Sequence, residues 1–429
     1  MNAHTPPTFI TDRYPEMGKG PVPVEPYISP AYYEREKELI FKKTWLHVGR
    51  VEQILKSGDY FVVDLECADT SVIVVRNKKG EINAFHNVCA HRMNELIYDK
   101  CGNTRKINCK FHGWAFDLDG NLTGVPEEEC FFDMDRKDYG LTRVSCDIWQ
   151  GFVYINIDPQ PALSLADFLK PMYQGIEGYP FDKMTSAFGW QSVVHCNWKL
   201  ALDAFQEAYH VAYIHGRSIA DAIDKAEMEH MRPLDAVCGE FHRRLSLAGN
   251  QKSVYGNPKA VTEGGEAARE ALEAASRSKP ISAAALKAGL GSAKHSFPLD
   301  ALPSGMNWTK SKNWLFDINV IFPDFYLSLR PNYFQAYNFR PIAHNKTLVE
   351  ARVYYPEMTT AGGRFFLEYM KVQLRDVLLE DMSTVERTQR AAETGAKKHM
   401  ILQDNELLVR HNHYVVDRML SAGTAQAAE

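Results

Sequence analysis

From Gly58 onward the chain runs in short, apolar, β-branched segments separated by turn residues, a pattern that predicts strands. Tyr60-Phe-Val-Val63 and Ser71-Val-Ile-Val-Val75 are two of these segments, and Lys78-Lys-Gly80 turns the chain into Glu81-Ile-Asn-Ala-Phe85. A second hairpin is expected over Trp114-Ala-Phe-Asp-Leu118 and Asn121-Leu-Thr123, with Asp119-Gly120 as its turn. Gly151-Phe-Val-Tyr-Ile-Asn-Ile157 reads as a closing strand, and Asp158-Pro-Gln-Pro161 as a boundary. These segments predict a small β domain over 45–158, preceded over 1–44 by a Pro-rich arm that packs on the body. The remainder, 159–429, is mixed. Leu200 to Ile214 reads as a helix, Leu315–Leu329, Phe334–Phe339 and Thr347–Tyr355 as sheet, and Arg364–Thr394 as a long helix. The Ala/Glu/Lys-rich stretch 256–292 includes a helical run, Glu266 to Ala275, and is expected to be a surface excursion or a mobile cap. Disorder is expected over Ser421–Glu429.

Composition changes this picture little. Of 429 residues, 45% are hydrophobic and 24% charged, an ordinary globular balance. A net charge of −5 gives no support to binding of nucleic acid or of an anionic membrane. There is no apolar run of about 18 residues and no basic-then-apolar leader, so a cytoplasmic protein without a membrane span is expected. In that compartment the eight cysteines are expected to bind metal or to be buried rather than to form disulfides.

Two cysteine–histidine pairs carry the first chemical signal. Cys89-Ala-His91 is followed by Cys109-Lys-Phe-His112, each pair on a loop beside a predicted hairpin, with Gly102 and Gly113 expected to free the turns. Two thiolates and two imidazoles suit a [2Fe–2S] centre in which histidines replace two cysteines on one iron. The same set could hold a tetrahedral zinc.

The predicted helix 200–214 carries the second. Leu202, Phe205, Tyr209 and Ala212 form an apolar stripe, and Asp203, Glu207 and His210 a second line. The helix is expected to be buried on nearly all sides, where ionisable groups are costly unless paired or metal-bound. His215 lies five residues past His210, about 140° around an ideal helix. The two rings can converge only where the helix ends or widens, and Gly216 is the expected break. On helix 364–394, Asp381 falls on the apolar stripe of Met370, Leu374, Val377, Leu378, Val385 and Thr388, while Asp376, Glu380 and Glu386 fall off it. Two histidines and one carboxylate make the facial triad of non-haem Fe(II) oxygenases. A buried salt bridge from Asp381 to an arginine is the alternative.

The stretch Asn87-Val-Cys-Ala-His-Arg92 through Cys109-Lys-Phe-His-Gly-Trp-Ala-Phe-Asp117 resembles the Rieske domain of aromatic-ring-hydroxylating oxygenase α subunits, a family of Rieske non-haem iron oxygenases. Asn197 to Asp203, Tyr209-His210 and His215 resemble the catalytic signature of that family, and Leu379-Glu-Asp381 with Glu386 and Gln389 its distal segment. The resemblance implies an α+β fold: a small all-β Rieske [2Fe–2S] domain and a larger antiparallel-sheet catalytic domain with helices. It implies that Cys89 and Cys109 hold one iron of the cluster and His91 and His112 the other, and that His210, His215 and Asp381 bind a mononuclear Fe(II). Glu207 stands where the family has a carboxylate that bridges to a Rieske histidine of a neighbouring subunit, more often Asp. Met93 stands where the family usually has Gly, and Lys110 where many members have Pro.

The activity so implied is that of a terminal oxygenase, hydroxylating an aromatic or other hydrophobic ring compound by mono- or dioxygenation. Oxidative N- or O-dealkylation, including of quaternary amines, is the alternative, and a pure Rieske electron carrier or a structural zinc protein the non-enzymatic ones. No G-x-G-x-x-G follows a strand, so electrons are expected from a separate NAD(P)H-dependent reductase, a ferredoxin, or both. The substrates are then a small organic molecule and O2, and the resemblance implies a homotrimer. The pocket is expected along Leu315–Leu329 with Trp308, Trp314, Phe316, Phe322 and Tyr326.

Overall fold

A computed structural model describes residues 9–170, 172–219, 233–249, 269, 272–273, 280–295, 297 and 301–426. They form two compact units, Glu34–Phe168 and a larger one made of the chain up to Tyr33 together with Leu169 onward. The stretch expected as one arm over 1–44 therefore divides. Residues 34–44 join the smaller unit because Ile40 and Phe41 are fully buried there, and Lys37 pairs with Asp69 at 2.6 Å. At its other end this unit continues past the expected boundary at 158. Leu165 and Phe168 are buried, and the Trp45 indole N–H donates to the Leu163 carbonyl at 2.9 Å.

The smaller unit is all-β in its sheets. Strands β1 (Leu46–Arg50), β2 (Asp59–Leu65), β3 (Thr70–Arg76), β4 (Ile82–His86) and β5 (Cys101–Asn103) form one sheet with the later β9 (Arg143–Trp149) and β10 (Phe152–Asn156), in the order β1-β10-β9-β4-β3-β2-β5. A second sheet joins β6 (Ile107–Asn108), β7 (Ala115–Phe116) and β8 (Leu122–Gly124). The turn between β7 and β8 is built as its sequence suggests. The Asp117 carboxylate accepts from the backbone N–H groups of Asp119 and Asn121, and Gly120 takes φ +89°, where a Cβ would meet the Phe85 ring. Gly102 does something other than free a turn. It lies within β5, and a Cβ there would stand 2.7 Å from the Tyr60 hydroxyl, so it permits close strand approach.

In the larger unit a seven-stranded antiparallel sheet forms from β11 (Ser186–Val194), β12 (Asp235–Cys238), β13 (Arg243–Ala248), β14 (Trp314–Ile321), β15 (Phe325–Leu329), β16 (Phe334–Ala343) and β17 (Lys346–Tyr355), in the order β11-β17-β16-β15-β14-β13-β12. Phe325, Leu327, Leu329, Phe334 and Phe339 are almost completely buried, as the apolar runs in the sequence anticipate. The expected helix 200–214 breaks into α1 (Trp198–Asp203) and α2 (Val211–Ile214), with Tyr209 and Tyr213 exposed rather than buried. Of the 256–292 stretch, α3 (Pro280–Gly289) is a packed helix, not a surface excursion: Ala285 and Leu286 are buried, and the Ser282 hydroxyl meets that of Tyr369 at 2.6 Å. Most of the Glu266–Ala275 run lies outside the described residues. The long helix α4 spans Ala361–Glu393; its buried line is Phe366, Met370, Leu374, Leu378, Asp381, Val385 and Gln389, and Thr388 is exposed. Helix α5 runs Leu407–Gln426, so the expected disorder does not begin at Ser421. Residues 9–33 are tied to this unit. Thr11 donates twice to the Asp404 carboxylate, and Val22–Pro23 pair with His399–Met400.

Candidate metal centres and cavity

In the smaller unit the two cysteine–histidine loops have the same backbone design. The N–H of Met93 donates to the Cys89 carbonyl at 3.0 Å, and that of Cys89 to the Asn94 carbonyl at 2.8 Å. Gly113 donates to Cys109 at 3.0 Å, and Cys109 to Trp114 at 2.8 Å. The fourth residue after each cysteine is left-handed, with φ +53° at Met93 and +73° at Gly113. The turn that Met93 occupies thus keeps the geometry that glycine serves in its counterpart, at the cost of a side chain in a disfavoured region.

These loops bring the four predicted ligands together. Cys89 and Cys109 are buried in the same core as Trp114, Phe116 and Ile107, and the His91 and His112 rings lie 4.6 Å apart. The His91 ring stacks on Trp114 at 4.9 Å, and its Nδ1 is buried without a hydrogen-bond partner. Burial pushes the Cys89 thiol up, and Cys109 beside it adds to the effect. Burial also lowers the His91 pKa, helped by the neighbouring His112 and Arg92. A buried thiol pair and an orphaned imidazole nitrogen are groups that a bound cation compensates, and two Cys with two His is the donor set of a Rieske centre.

In the larger unit α2 begins after His210 and ends before His215, whose ψ of +20° leaves the helical region. This break makes the rings converge; their centroids lie 5.3 Å apart. Gly216 is not left-handed, so the interruption is made at His215 itself. Asp381, from the buried line of α4, completes the set: its Oδ1 stands 3.2 Å from His215 Nε2 and 3.7 Å from His210 Nε2. One ligand atom from each of the three lies within 4.8 Å of the others. Asp381 faces these two histidines, and among the described residues no arginine pairs with it.

The remaining ring nitrogens are each held by a carboxylate. Glu207 accepts from His210 Nδ1 and from the Tyr209 backbone N–H. Glu380 Oε2 takes His215 Nδ1 at 2.7 Å and the Ser218 hydroxyl at 2.6 Å. Both Nε2 atoms therefore point toward Asp381, the arrangement in which a second carboxylate sets the tautomer of a metal-binding histidine. Burial works against charge on His210, but Glu207 and Asp381 outweigh it and raise its pKa. His215 is likewise raised, by Asp381 and Glu380 against burial, whereas burial pushes the Asp381 carboxyl up despite both histidines. The donor set suits a divalent metal with open positions.

Asp203, expected on one line with Glu207 and His210, does not join them. The chain leaves the helix after Asp203, whose carboxylate instead accepts from the Tyr27 hydroxyl at 2.6 Å. Burial pushes the Asp203 carboxyl up to about 7, against the Tyr27 hydrogen bond. Glu386 and Gln389 brace the start of α1, accepting from the backbone N–H of His195 at 2.9 Å and of Asn197 at 3.0 Å.

A cavity of about 140 Å³ opens onto the triad, lined by Phe205, Val211, Leu315, Phe316, Ile318, Tyr326, Tyr333, Tyr337, Met370, Leu374 and Leu378, among others. Of the expected aromatics, Phe316 and Tyr326 line it; Trp308, Trp314 and Phe322 do not. The Trp314 N–H is held by Asp317 at 2.8 Å and that of Trp308 by Asp235 at 2.8 Å, while Phe322 is fully buried, its backbone N–H donating to His242. The residues that sequence reasoning missed are Glu380, Ser218, Arg330 and Gln335. Glu380 lies off the apolar stripe of α4, and no spacing tied it to His215.

Comparison with known proteins agrees with this geometry. The "Rieske [2Fe-2S] domain" family matches residues 44–143, and the "Ring hydroxylating alpha subunit (catalytic domain)" family matches 181–422. The α subunit of biphenyl 2,3-dioxygenase from Rhodococcus jostii (strain RHA1) is 33% identical over 219 residues, 47% of this chain and 46% of that protein. The oxygenase subunit of glycine betaine monooxygenase from Chromohalobacter salexigens is 31% identical over 220 residues, 51% and 48% of the two chains. The matches thus span about half the length of these curated relatives. Among solved structures, naphthalene 1,2-dioxygenase from Rhodococcus sp. superposes with a TM-score of 0.68 at 19% identity, covering 96% of each chain. A quaternary ammonium Rieske monooxygenase superposes at 0.67 and 19%, covering 94% of each, and at that identity both show likeness of fold. Matches to both domains, a [2Fe–2S] domain and an oxygenase catalytic domain, imply a Rieske cluster and a mononuclear iron site, and the chain belongs to the ring-hydroxylating oxygenase α-subunit family.

Proposed function

We propose that this chain is the terminal oxygenase component of a Rieske system, hydroxylating an aromatic or other hydrophobic ring compound. The observation that carries the reading is the convergence of His210, His215 and Asp381 at the edge of an apolar cavity, with the outer nitrogen of each histidine held by a carboxylate. His210, His215 and Asp381 would hold an iron that would supply O2 activation, and Cys89, His91, Cys109 and His112 a cluster that would supply electrons. The protein's own part is positional. Glu207 and Glu380 fix the two imidazoles, Asp381 offers the third donor from a rigid helix, and the apolar walls bind the substrate and exclude water. The named relatives include arene dioxygenases and betaine, choline and carnitine monooxygenases, so the alternative reading, oxidative dealkylation including of quaternary amines, stays beside ring hydroxylation.

In this reading Glu207 also serves as the bridge to a Rieske histidine of a neighbouring subunit, in a cytoplasmic homotrimer fed by an NAD(P)H-dependent reductase, a ferredoxin, or both. Support for the bridge is that Glu207 already holds His210 Nδ1 and keeps acceptor capacity. The domains proposed are the unit Glu34–Phe168 for the cluster and the unit formed by the chain up to Tyr33 with Leu169 onward for the mononuclear iron. A paired substitution tests the whole. Cys109→Ala is expected to abolish the visible Rieske spectrum, and His210→Ala to keep that spectrum while losing the mononuclear iron and all incorporation of labelled O2 with a surrogate reductase. Full turnover by His210→Ala would overturn the reading.

A further inference from the structure

The cavity beside the metal triad is apolar on most of its surface, yet one strongly basic side chain faces it. Arg330 follows strand β15, at the turn that leads into β16, where its backbone N–H donates to the Tyr333 carbonyl at 3.1 Å. Among the described residues that line the cavity it is the one bearing a guanidinium or ammonium group. Its Nε is buried with no hydrogen-bond partner, and no carboxylate forms an ion pair with it among the described residues. The guanidinium carbon lies 3.8 Å from the centre of the Phe316 ring and 5.1 Å from that of Tyr333, contacts that hold the group against the two rings without giving its Nε–H an acceptor.

An unsatisfied buried guanidinium N–H is costly, and the nearest remedy in an enclosed site is an anion from the ligand. The two carboxylates that face the same cavity are engaged elsewhere: Glu207 by His210, and Asp381 by His210 and His215. Arginine offers two parallel N–H groups that match the two oxygens of a carboxylate, and the aromatic and aliphatic walls match an apolar body. Arg330 and Phe316 stand on the sheet side, whereas the triad stands on α2 and α4 and the segments beside them.

We propose that the substrate is an apolar acid, an arene or similar hydrophobic group bearing a carboxylate, held at its carboxylate by Arg330 with its apolar part in the cavity that opens onto the metal triad. The inference rests on the oxygenase reading only for taking this cavity as the substrate site. It disfavours quaternary ammonium substrates: aromatic rings such as Phe205, Tyr326 and Tyr337 line the cavity, but the positive Arg330 repels a cation.

Calorimetric titration of the purified metal-loaded protein tests this without turnover. The probes are benzoate, cinnamate and 2-naphthoate, each against its neutral amide, with benzyltrimethylammonium as the cationic arm. At least one acid is expected to bind ten-fold or more tightly than its amide. Arg330→Met is expected to remove that preference while leaving amide binding within about threefold, as bidentate charge recognition is lost and the walls remain. Arg330→Lys, which keeps the charge and loses the fork, is expected to retain part of it. The visible cluster spectrum and melting temperature report whether each variant is folded. The proposal fails if no acid binds more tightly than its amide in the wild type, if Arg330→Met keeps the preference, or if the cation binds best. A preference for acids together with no O2-dependent product from any bound acid would sink the oxygenase reading instead. Product from neutral arenes alone, with no preference for acids, would sink this inference and leave that reading standing.

Discussion

Replacing Glu380 by glutamine perturbs one hydrogen bond to a proposed iron ligand and leaves the ligand itself in place. In the native protein His215 Nδ1 donates to Glu380 Oε2 at 2.7 Å, and the Ser218 hydroxyl donates to the same oxygen at 2.6 Å. Glutamine keeps the length and one acceptor oxygen, so it can still face His215, but it removes the charge. A hydrogen bond to an ionised group contributes roughly 1.5–3 kcal/mol and a neutral one roughly 0.5–1.5 kcal/mol. The exchange therefore weakens the orientation of His215 by about 1–1.5 kcal/mol, about tenfold in an affinity. His215 is almost fully buried, so water does not take over the lost interaction. Glu380→Gln is expected to bind mononuclear Fe(II) about tenfold more weakly, and Glu380→Ala up to roughly a hundredfold, the span typical of groups that orient metal-binding histidines. Competition with a chromophoric iron chelator measures this, and the cluster spectrum, arising from the other unit, serves as an internal control. Native iron affinity in a folded Glu380→Ala protein would refute the assignment of His215 as a ligand oriented by Glu380.

Glu207→Gln is expected to leave both metal sites occupied while cluster oxidation in a single turnover slows greatly, because one end of the amide is a donor where two imidazole N–H groups need an acceptor; rapid oxidation in the fully metallated variant would rule out the bridge. Met93→Gly is expected to stabilise the protein by about 0.5–1 kcal/mol, the left-handed penalty of roughly 1–2 kcal/mol less the entropy of glycine, roughly 0.5–1 kcal/mol. Met93 is 79% exposed, so little packing is lost; a lower melting temperature with an unchanged cluster spectrum would contradict this.

The sequence by itself determined what is local. Each cysteine–histidine pair sits on one loop, so its spacing carries the metal chemistry, and the same backbone hydrogen bonds recur in both loops. His210 and His215 are five residues apart, and the requirement that the helix end or widen there for the rings to converge could be stated from helical geometry alone. Asp381 was legible because a carboxylate interrupted an apolar stripe. The break after Asp203, which turns that residue toward Tyr27 and away from the triad, was not legible, since the apolar periodicity runs on through residues that leave the helix. Tertiary packing alone decided the rest. It set Glu380 on His215 across 165 residues and placed Phe316 and Tyr326 at the cavity while Trp308, Trp314 and Phe322 packed elsewhere. It also left the Arg330 Nε, beside the cavity, without a hydrogen-bond partner. Periodicity tells which face of an element is buried, but not what that face meets. Partners are chosen by long-range contacts, and those contacts placed the second carboxylate and the one guanidinium in the lining that sequence spacing could not locate.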